Sequence, residues 1–184
     1  DEGDELIETI MVKDHDEVMF ISASGKGLRV NVDDIRSMGR STRGVKAMNL
    51  IGEDEIVSAV KVEEGKNILL LTELGKGKRT GFDSFSQHGR GTMGQRIYSL
   101  AEGDRLVGAR AVTDEDDVIL ITKLGQVLRI AVSRISYQGK NASGVIIATF
   151  KKKNDRINAM DVTIHEEEAE EEEEYITSFA KKHH

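Results

Sequence analysis

The segment Gly89-Arg-Gly-Thr-Met-Gly94 has glycines at the spacing of a dinucleotide-binding loop, GxGxxG. Such a loop binds a pyrophosphate when a helix starts directly after it and turns its first amides towards the phosphates. The following residues, Gln95-Arg-Ile-Tyr-Ser-Leu100, favour a strand instead. A GxxxxGK[ST] loop is also excluded, because Gln95 stands where the lysine belongs. We therefore predict no nucleotide site and no other bound cofactor.

The remaining reactive side chains do not form a catalytic or metal-binding arrangement. Cysteine is absent, which excludes disulfides, thiol catalysis and cysteine-ligated metals. His15, His88 and His165 lack the spacing of metal ligands. No serine lies in a G-x-S-x-G turn. We expect no catalytic residue and no metal, so the chain is predicted not to be an enzyme on its own.

The sequence repeats with a period of 50 residues, without a gap, through three units. The opening segment has counterparts at 39–44 and 139–144, and its middle glycine, Gly91, occurs in the second copy alone. The repeated pattern is therefore G-[R/K]-x-x-x-G, which we call the rim loop. Six positions are identical in all three units: Asp4, Asp54 and Asp104; Val12, Val62 and Val112; Gly25, Gly75 and Gly125; Arg29, Arg79 and Arg129; Gly39, Gly89 and Gly139; Gly44, Gly94 and Gly144.

Each unit shows the pattern of short strands. An apolar run such as Ile68–Leu71 is followed by a glycine turn and then by strict alternation, as in Leu28–Val32. Four short strands in a unit of this length are typical of a propeller blade. We predict an all-β, propeller-like array over residues 1–164, in which the first strand of each unit can complete the blade before it. The boundaries are repeats 1–50, 51–100 and 101–152 and an extra strand over 154–164.

Three blades are too few to close a ring of four to eight, and the chain opens on Asp1 rather than on methionine. Both features indicate a piece of a longer protein. No apolar stretch approaches the length of about 20 residues that spans a membrane, so we expect no membrane partner and a cytoplasmic location.

Charge is distributed unevenly along the chain. Residues 165–184 hold eight glutamates and two lysines, and we predict a disordered acidic tail. Residues 26–46, 75–96 and 123–140 each carry a net charge of +4. If the units occupy equivalent places, these cations form one basic stripe around a curved rim, which suits the phosphate backbone of bent duplex DNA.

The predicted DNA-binding residues are the cations of these three stretches. We expect the cations of the rim loops, Arg40, Arg90 and Lys140, to make the best contacts, since glycines on either side allow such a loop to present backbone and side chain to an anion. Arg29, Arg79 and Arg129 repeat without exception, so bonding across blades is an open alternative for them. The other candidates are Lys26, Arg36, Arg43, Lys46, Lys76, Lys78, Arg96 and Arg134.

The order of apolar strand, LG turn, L-R-[IV] and G-[R/K]-x-x-x-G-V resembles the C-terminal domain of the bacterial DNA gyrase A protein. The corresponding domain of topoisomerase IV is the nearest alternative. The resemblance covers residues 1 to about 164. It implies a β-pinwheel with strands exchanged between blades and a basic perimeter that wraps DNA. The family's gyrase box, Q-[R/K]-R-G-G-[R/K]-G, is matched within 87–94 at Arg90, Gly91 and Gly94 only, so we interpret this segment as an ordinary blade loop.

The resemblance also implies partners and a location. They are duplex DNA, the topoisomerase B protein and the remainder of the topoisomerase A protein, in association with the nucleoid. The module would support negative supercoiling by the holoenzyme. A propeller-like scaffold for protein interactions, without DNA binding, is the alternative from a different functional class.

Overall fold

The structure is a computed structural model that describes residues 15–33, 54–85, 94–139 and 141–163. Short strands, none longer than seven residues in these ranges, alternate with tight turns. The strands are β1 (Glu17–Ser22), β2 (Lys26–Asn31), β3 (Ile56–Lys61), β4 (Asn67–Thr72), β5 (Lys76–Gly81), β6 (Gln95–Arg96), β7 (Leu106–Val112), β8 (Asp117–Thr122), β9 (Val127–Ala131), β10 (Val145–Ile146) and β11 (Ile157–Thr163). Two 3-10 turns occupy Phe82–Ser84 and Val132–Arg134.

The strands form three antiparallel sheets, which we call blades 1, 2 and 3. Blade 1 has the order β3-β1-β2-β6, blade 2 the order β10-β5-β4-β7, and blade 3 the order β11-β8-β9 within the described residues. The predicted all-β, propeller-like array with strand exchange is confirmed. The extra strand at the end of the array, β11, pairs with β8 as the outer strand of the last blade, which has three strands in the described residues.

The exchange between units is larger than the sequence indicated. Blade 1 takes β1 and β2 from the first unit, but both β3 and β6 from the second. The last strand of a unit is exchanged as well as the first, since β6 and β10 both pair with the blade before. Each of these pairings covers only two residues, too short a stretch for any sequence periodicity to reveal.

The hairpins β1–β2, β4–β5 and β8–β9 have turns of the same conformation. Their glycines, Gly25, Gly75 and Gly125, have φ of 92°, 91° and 91°, a left-handed conformation that disfavours every residue with a Cβ. In the second and third hairpins, an aspartate near the start of the next unit accepts a hydrogen bond from the turn. Asp104 accepts a hydrogen bond from the Leu74 amide at 3.0 Å, and Asp155 one from the Leu124 amide at 3.0 Å.

The core lies between neighbouring blades. Ile68 and Leu70 of β4 pack into a cluster with blade 1, while Leu69 and Leu71 pack into a cluster with blade 3. Both faces of β4 are therefore buried, which accounts for a continuous apolar run instead of alternation. The blades are held together mainly by this packing of sheet faces.

The central strand should be the most sensitive part of the core. We expect Leu70→Ala to lower the free energy of unfolding by about 2–5 kcal/mol, because it removes apolar surface and leaves a cavity between two sheets. Urea denaturation at pH 7 measures this loss. The matched control, Ile146→Ala, alters a side chain that is 68% exposed and should cost less than about 1 kcal/mol. Equal losses would contradict this account of the core.

Candidate nucleic-acid interface

The structure describes only part of the predicted DNA-binding set. The rim-loop cations and several of their neighbours lie outside the described residues and stay predictions: Arg36, Arg40, Arg43, Lys46, Arg90 and Lys140, with the loop glycines Gly39, Gly44 and Gly89. The described candidates are Lys26, Arg29, Lys76, Lys78, Arg79, Arg96, Arg129 and Arg134. Five of these eight cations fall into three structural situations, and Lys76, Arg129 and Arg134 are described beside them.

The first situation is an exposed pair of cations on blade 1. Lys26, at the start of β2, lies directly opposite Arg96 of β6, and both side chains are exposed. Neither forms an ion pair with any acidic residue in the described ranges. Like charges directly opposite in a sheet destabilise it. An anion bound between them would relieve that repulsion.

The equivalent position carries less charge in the later blades. In blade 2, Lys76 is half-buried and lies opposite the exposed Ile146. In blade 3, the position holds Gln126. The positive charge at this point of the rim therefore falls from two to one to none along the described array.

The rim loops end beside these cations. Gly94, the last glycine of the second rim loop, has φ of 81°, and a Cβ there would lie 3.0 Å from the Gly27 carbonyl oxygen. Gly144 has φ of 78°, and its Cβ would lie 2.8 Å from the Gly77 carbonyl oxygen. Each described loop end is thus held against the preceding blade, next to Lys26 or Lys76. The end glycine is needed for that close approach.

The second situation is that of two arginines whose guanidinium groups form hydrogen bonds to the next unit. Nε of Arg29 donates to Glu17 at 2.5 Å, and its Nη1 donates to the carbonyls of Phe82 at 2.9 Å and Phe85 at 3.1 Å. Arg79 binds the equivalent carbonyl one unit later, that of Ile135, at 2.8 Å, and pairs with Asp114. These contacts favour the structural role that the sequence left open for both arginines.

The two remaining arginines lie on blade 3 and are more accessible. Arg129 bonds Asp117 through Nε at 2.8 Å and is about half exposed. Arg134, in the second 3-10 turn, is exposed. Both remain candidates for contacts with an anionic partner.

The third situation is that of Lys78, which is fully buried and does not face the solvent. Its Nζ donates to the carbonyls of Gly139 at 2.8 Å and Ala142 at 2.9 Å, in the third rim loop. Nζ also lies 4.8 Å from the centre of the Tyr98 ring, a cation–π contact. Burial lowers the pKa of Lys78 to about 8. Lys78 therefore fixes a rim loop, a role that Leu28 and Leu128 at the equivalent positions gave no reason to predict.

The third rim loop is bound further by the second unit. Ser99 donates its hydroxyl to the Asn141 carbonyl at 2.9 Å. The Gly144 amide donates to the Gln138 side chain at 3.1 Å, and the Ala142 amide to the Gly139 carbonyl at 3.1 Å. The amides of Ala142 and Gly144 are thus already hydrogen-bonded, so a cation side chain is the better ligand for a phosphate.

No other type of site is found in the described residues. They hold no group of three or more metal-ligating side chains, and none of their helices is long and apolar enough to cross a membrane. Gly94 leads directly into β6 rather than into a helix, and the strand expected over 95–100 is present at its first two residues, Gln95 and Arg96.

These features define a propeller-like repeat domain with exchanged strands and an exposed pair of cations on blade 1. A family model described as DNA gyrase C-terminal domain, beta-propeller, matches residues 16–63, 66–113 and 116–164. Most of the chain is covered, and each matched range opens just before the apolar strand of a blade. The chain belongs to the DNA gyrase C-terminal domain family.

Individual relatives cover smaller parts. The DNA gyrase A protein of Klebsiella oxytoca is 51% identical over 53 residues, which are 29% of this chain and 6% of the relative. The DNA gyrase A protein of Chlamydia pneumoniae is 42% identical over 45 residues, 24% of this chain and 5% of the relative. The aligned parts are thus a small fraction of these relatives.

Two solved structures share the fold. The crystal structure of the C-terminal domain of DNA topoisomerase IV aligns with a TM-score of 0.75 at 19% identity, over 96% of this chain and 54% of that chain. The E. coli ParC C-terminal domain aligns with a TM-score of 0.62 at 16% identity, over 84% of this chain and 65% of that chain. Both likenesses support the propeller-like architecture.

The buried ammonium of Lys78 should be visible in the pH dependence of stability. Its pKa is about 8 in the folded protein and about 10.5 in the unfolded chain, so between these values the unfolded state binds more protons. The contribution of Lys78 to the free energy of unfolding therefore rises as pH rises from 8 to 10.5. We expect the stability difference, wild type minus Lys78→Leu, to increase between pH 7 and pH 9.5 in urea denaturation.

Leucine is the matched replacement because Leu28 and Leu128 occupy this position in the other units. A difference in stability that stays constant with pH would show that burial does not lower the pKa of Lys78 in the folded protein.

Proposed function

We propose that this chain is the DNA-binding and DNA-wrapping C-terminal domain of a gyrase-like topoisomerase A protein. The observation that carries the proposal is the exposed pair Lys26 and Arg96, two cations held side by side across β2 and β6. Membership of the gyrase C-terminal domain family supports it.

The contacts would be electrostatic and independent of DNA sequence. Lysine and arginine contacts to phosphates position a duplex without reading its bases, and each neutralised phosphate releases counterions. The chain has only five Phe, three Tyr and no Trp, so it offers little for stacking on unpaired bases. Intact duplex DNA is therefore the partner that fits this surface best.

The rim loops would continue the DNA-binding surface from one blade to the next. The ends of the second and third loops adjoin Lys26 and Lys76, which supports a contact role for the cations four residues earlier, Arg90 and Lys140. Arg40, Arg90 and Lys140 are the proposed contacts. Arg29 and Arg79, whose guanidinium groups are bonded to carbonyls of the next unit, would instead stabilise the fold.

The role of the domain would be mechanical rather than catalytic. It would hold a bent segment of duplex for the B protein and the remainder of the A protein, supporting negative supercoiling by the holoenzyme. That assembly would work in the cytoplasm, on the nucleoid.

Removing the cation pair should weaken DNA binding in a defined way. We expect Lys26→Gln/Arg96→Gln to reduce affinity for duplex DNA by about tenfold or more at low salt. The slope of log affinity against log salt should become shallower by about 2, since each phosphate contact contributes about −0.9. Fluorescence anisotropy with a labelled random-sequence duplex at several salt concentrations measures both quantities.

The matched control is Lys61→Gln/Lys66→Gln, which removes the same charge. Lys61 and Lys66 are at the opposite ends of β3 and β4 from the glycine turns and pair with Asp16 and Glu63. If the control loses as much affinity as the rim variant, net charge rather than the rim governs binding. Absence of duplex binding at low salt would favour the protein-interaction scaffold.

The rim loops can be tested as a group. Reversing the charge of all three cations, Arg40→Glu/Arg90→Glu/Lys140→Glu, should abolish most of the affinity because each loop would then repel phosphate. Thermal unfolding should stay within a few degrees of the wild type, since surface substitutions usually change stability little. Affinity that survives with the fold intact would show that the loops do not contact DNA.

A further inference from the structure

Blade 3 has an uncovered edge where blades 1 and 2 have a fourth strand. In the first two blades, Ile97 and Tyr98 donate their amides to the Gly25 carbonyl, and Ile147 and Ala148 theirs to the Gly75 carbonyl. No described residue donates an amide to the Gly125 carbonyl. We call the outer side of β9, with the Gly125 turn, the free edge.

The surroundings of the three turn glycines show the same difference. A Cβ at Gly25 or Gly75 would lie 2.7 Å from a carbonyl oxygen of the covering segment. A Cβ at Gly125 would meet no described atom within 4 Å. Gly25 and Gly75 are buried, whereas Gly125 is exposed. The free edge therefore has space for one more strand.

An apolar patch surrounds this space. Leu124 is 52% exposed, Val127 63% and Ile121 40%. The residues equivalent to Ile121 in blades 1 and 2, Ile21 and Leu71, are fully buried because each packs against the next blade, whereas no further blade covers Ile121 in the described residues. Exposed apolar side chains beside an unpaired strand edge are the features of a surface that receives another strand.

The covering segments of blades 1 and 2 share a short sequence. Ile97-Tyr-Ser-Leu100 and Ile147-Ala-Thr-Phe150 both read isoleucine, a variable residue, a hydroxyl residue and a large apolar residue. Leu100 and Phe150 pack against the turn glycines, at 3.4 and 3.3 Å from a Cβ built there. The same pattern follows the run of glutamates, as Ile176-Thr-Ser-Phe179, and it also occurs in the first unit as Ile7-Glu-Thr-Ile10 and Ile35-Arg-Ser-Met38.

We propose that residues 175–179 add to the free edge as the fourth strand of blade 3. The amides of Ile176 and Thr177 would donate to the Gly125 carbonyl, and Ile176 and Phe179 would cover the apolar patch. Tyr175 would lie opposite Gln126, as Arg96 lies opposite Lys26 and Ile146 opposite Lys76.

The connecting chain is long enough. Between Thr163 and Glu174, the segment 164–173 must cross from the outer strand β11 to the far side of β9. Three strand spacings of about 4.8 Å and four residues of about 3.3 Å along the strand give roughly 20 Å. Ten extended residues span up to about 33 Å.

Charge complementarity supports this path. The connecting segment contains most of the glutamates of the tail. It would start at Thr163, opposite Asp117 of β8, and pass the end of β9, where Arg134 is exposed and Arg129 is bonded to Asp117. Opposite charges would thus lie along the route that the segment must take.

Two departures from the pattern affect the details of docking. Val127 stands where Gly27 and Gly77 lie under Ile97 and Ile147, so Ile176 must lie slightly farther from the sheet. Glu173 stands in place of the left-handed Gly94 and Gly144, so pairing must begin at Glu174. Both changes leave the hydrogen bonds to Gly125 possible.

An engineered disulfide tests the register of the docked strand in the full chain, which has no cysteine of its own. Gln126→Cys/Tyr175→Cys places thiols on residues expected to lie directly opposite, within the Cα separation of about 4.4–6.8 Å that a disulfide requires. The control pair, Gln126→Cys/Glu170→Cys, uses the same tail outside the proposed strand. Mild oxidation of dilute protein and non-reducing electrophoresis measure the rate of internal bond formation.

We expect the 126–175 pair to close at least about fivefold faster than the control pair, because docking raises the effective concentration of the thiols. Equal rates would overturn the proposal. Disulfide-linked dimers in place of the internal bond would also overturn it, since a second copy would then occupy the edge.

Hydrogen exchange provides an independent test without cysteines. The Gln126 carbonyl accepts from the Thr122 amide, and the Gln126 amide donates to the Thr122 hydroxyl. Because the backbone groups of successive residues point to opposite sides of a strand, the Val127 amide points to the free edge. Ile176→Asp/Phe179→Asp should speed exchange of the Val127 amide by about tenfold or more. Tyr175→Arg, which copies Arg96 of blade 1, should leave it unchanged. Fast exchange in the unaltered chain would rule out the docked strand.

Discussion

The exchange of strands between consecutive units is the constraint on which the rest of the structure depends. Blade 1 is built from two strands of the first unit and two of the second, so no unit can complete a sheet by itself. The packing follows the same rule, since β4 contributes its even-numbered apolar residues to one interface and its odd-numbered ones to the other. Stability is thus shared between neighbours, as in other repeat proteins, and incomplete pairing is concentrated in the terminal blade.

The same geometry determines what each positive charge can do. Lys26 lies beside the hairpin turn, opposite Arg96 of the short strand β6, and it stays exposed. Arg29, three residues further along β2, reaches the 3-10 turn of the next unit and is bound there. Lys78 faces the rim loop of the next unit and is buried under it. A net charge of +4 in each stretch therefore does not translate into equal charge on the rim.

Much of the fold could be predicted because repetition reveals it. Gly25, Gly75 and Gly125 marked the hairpins, the apolar runs marked strands with two buried faces, and the extra strand followed from the same pattern. The position of β6 could not be predicted, because two paired residues carry no periodicity. In the candidate site, the invariance of Arg29 and Arg79 gave a usable signal for a structural role. Lys78 gave no such signal, because a lysine at a position that holds leucine in the other two units looks like an exposed cation in a sequence.

The glycines of the rim loop are explained by backbone packing rather than by phosphate binding. Gly94 and Gly144 adopt left-handed conformations against the backbones of Gly27 and Gly77, where any side chain would collide. At Gly139, by contrast, a Cβ would meet open space within the described residues. Because the amides of Ala142 and Gly144 are already bonded within the loop, an anion gains little from the backbone there. The proposed contacts to phosphate therefore rest on the cation that follows the first glycine, and the resemblance of Gly89–Gly94 to a dinucleotide loop comes from Gly91 alone.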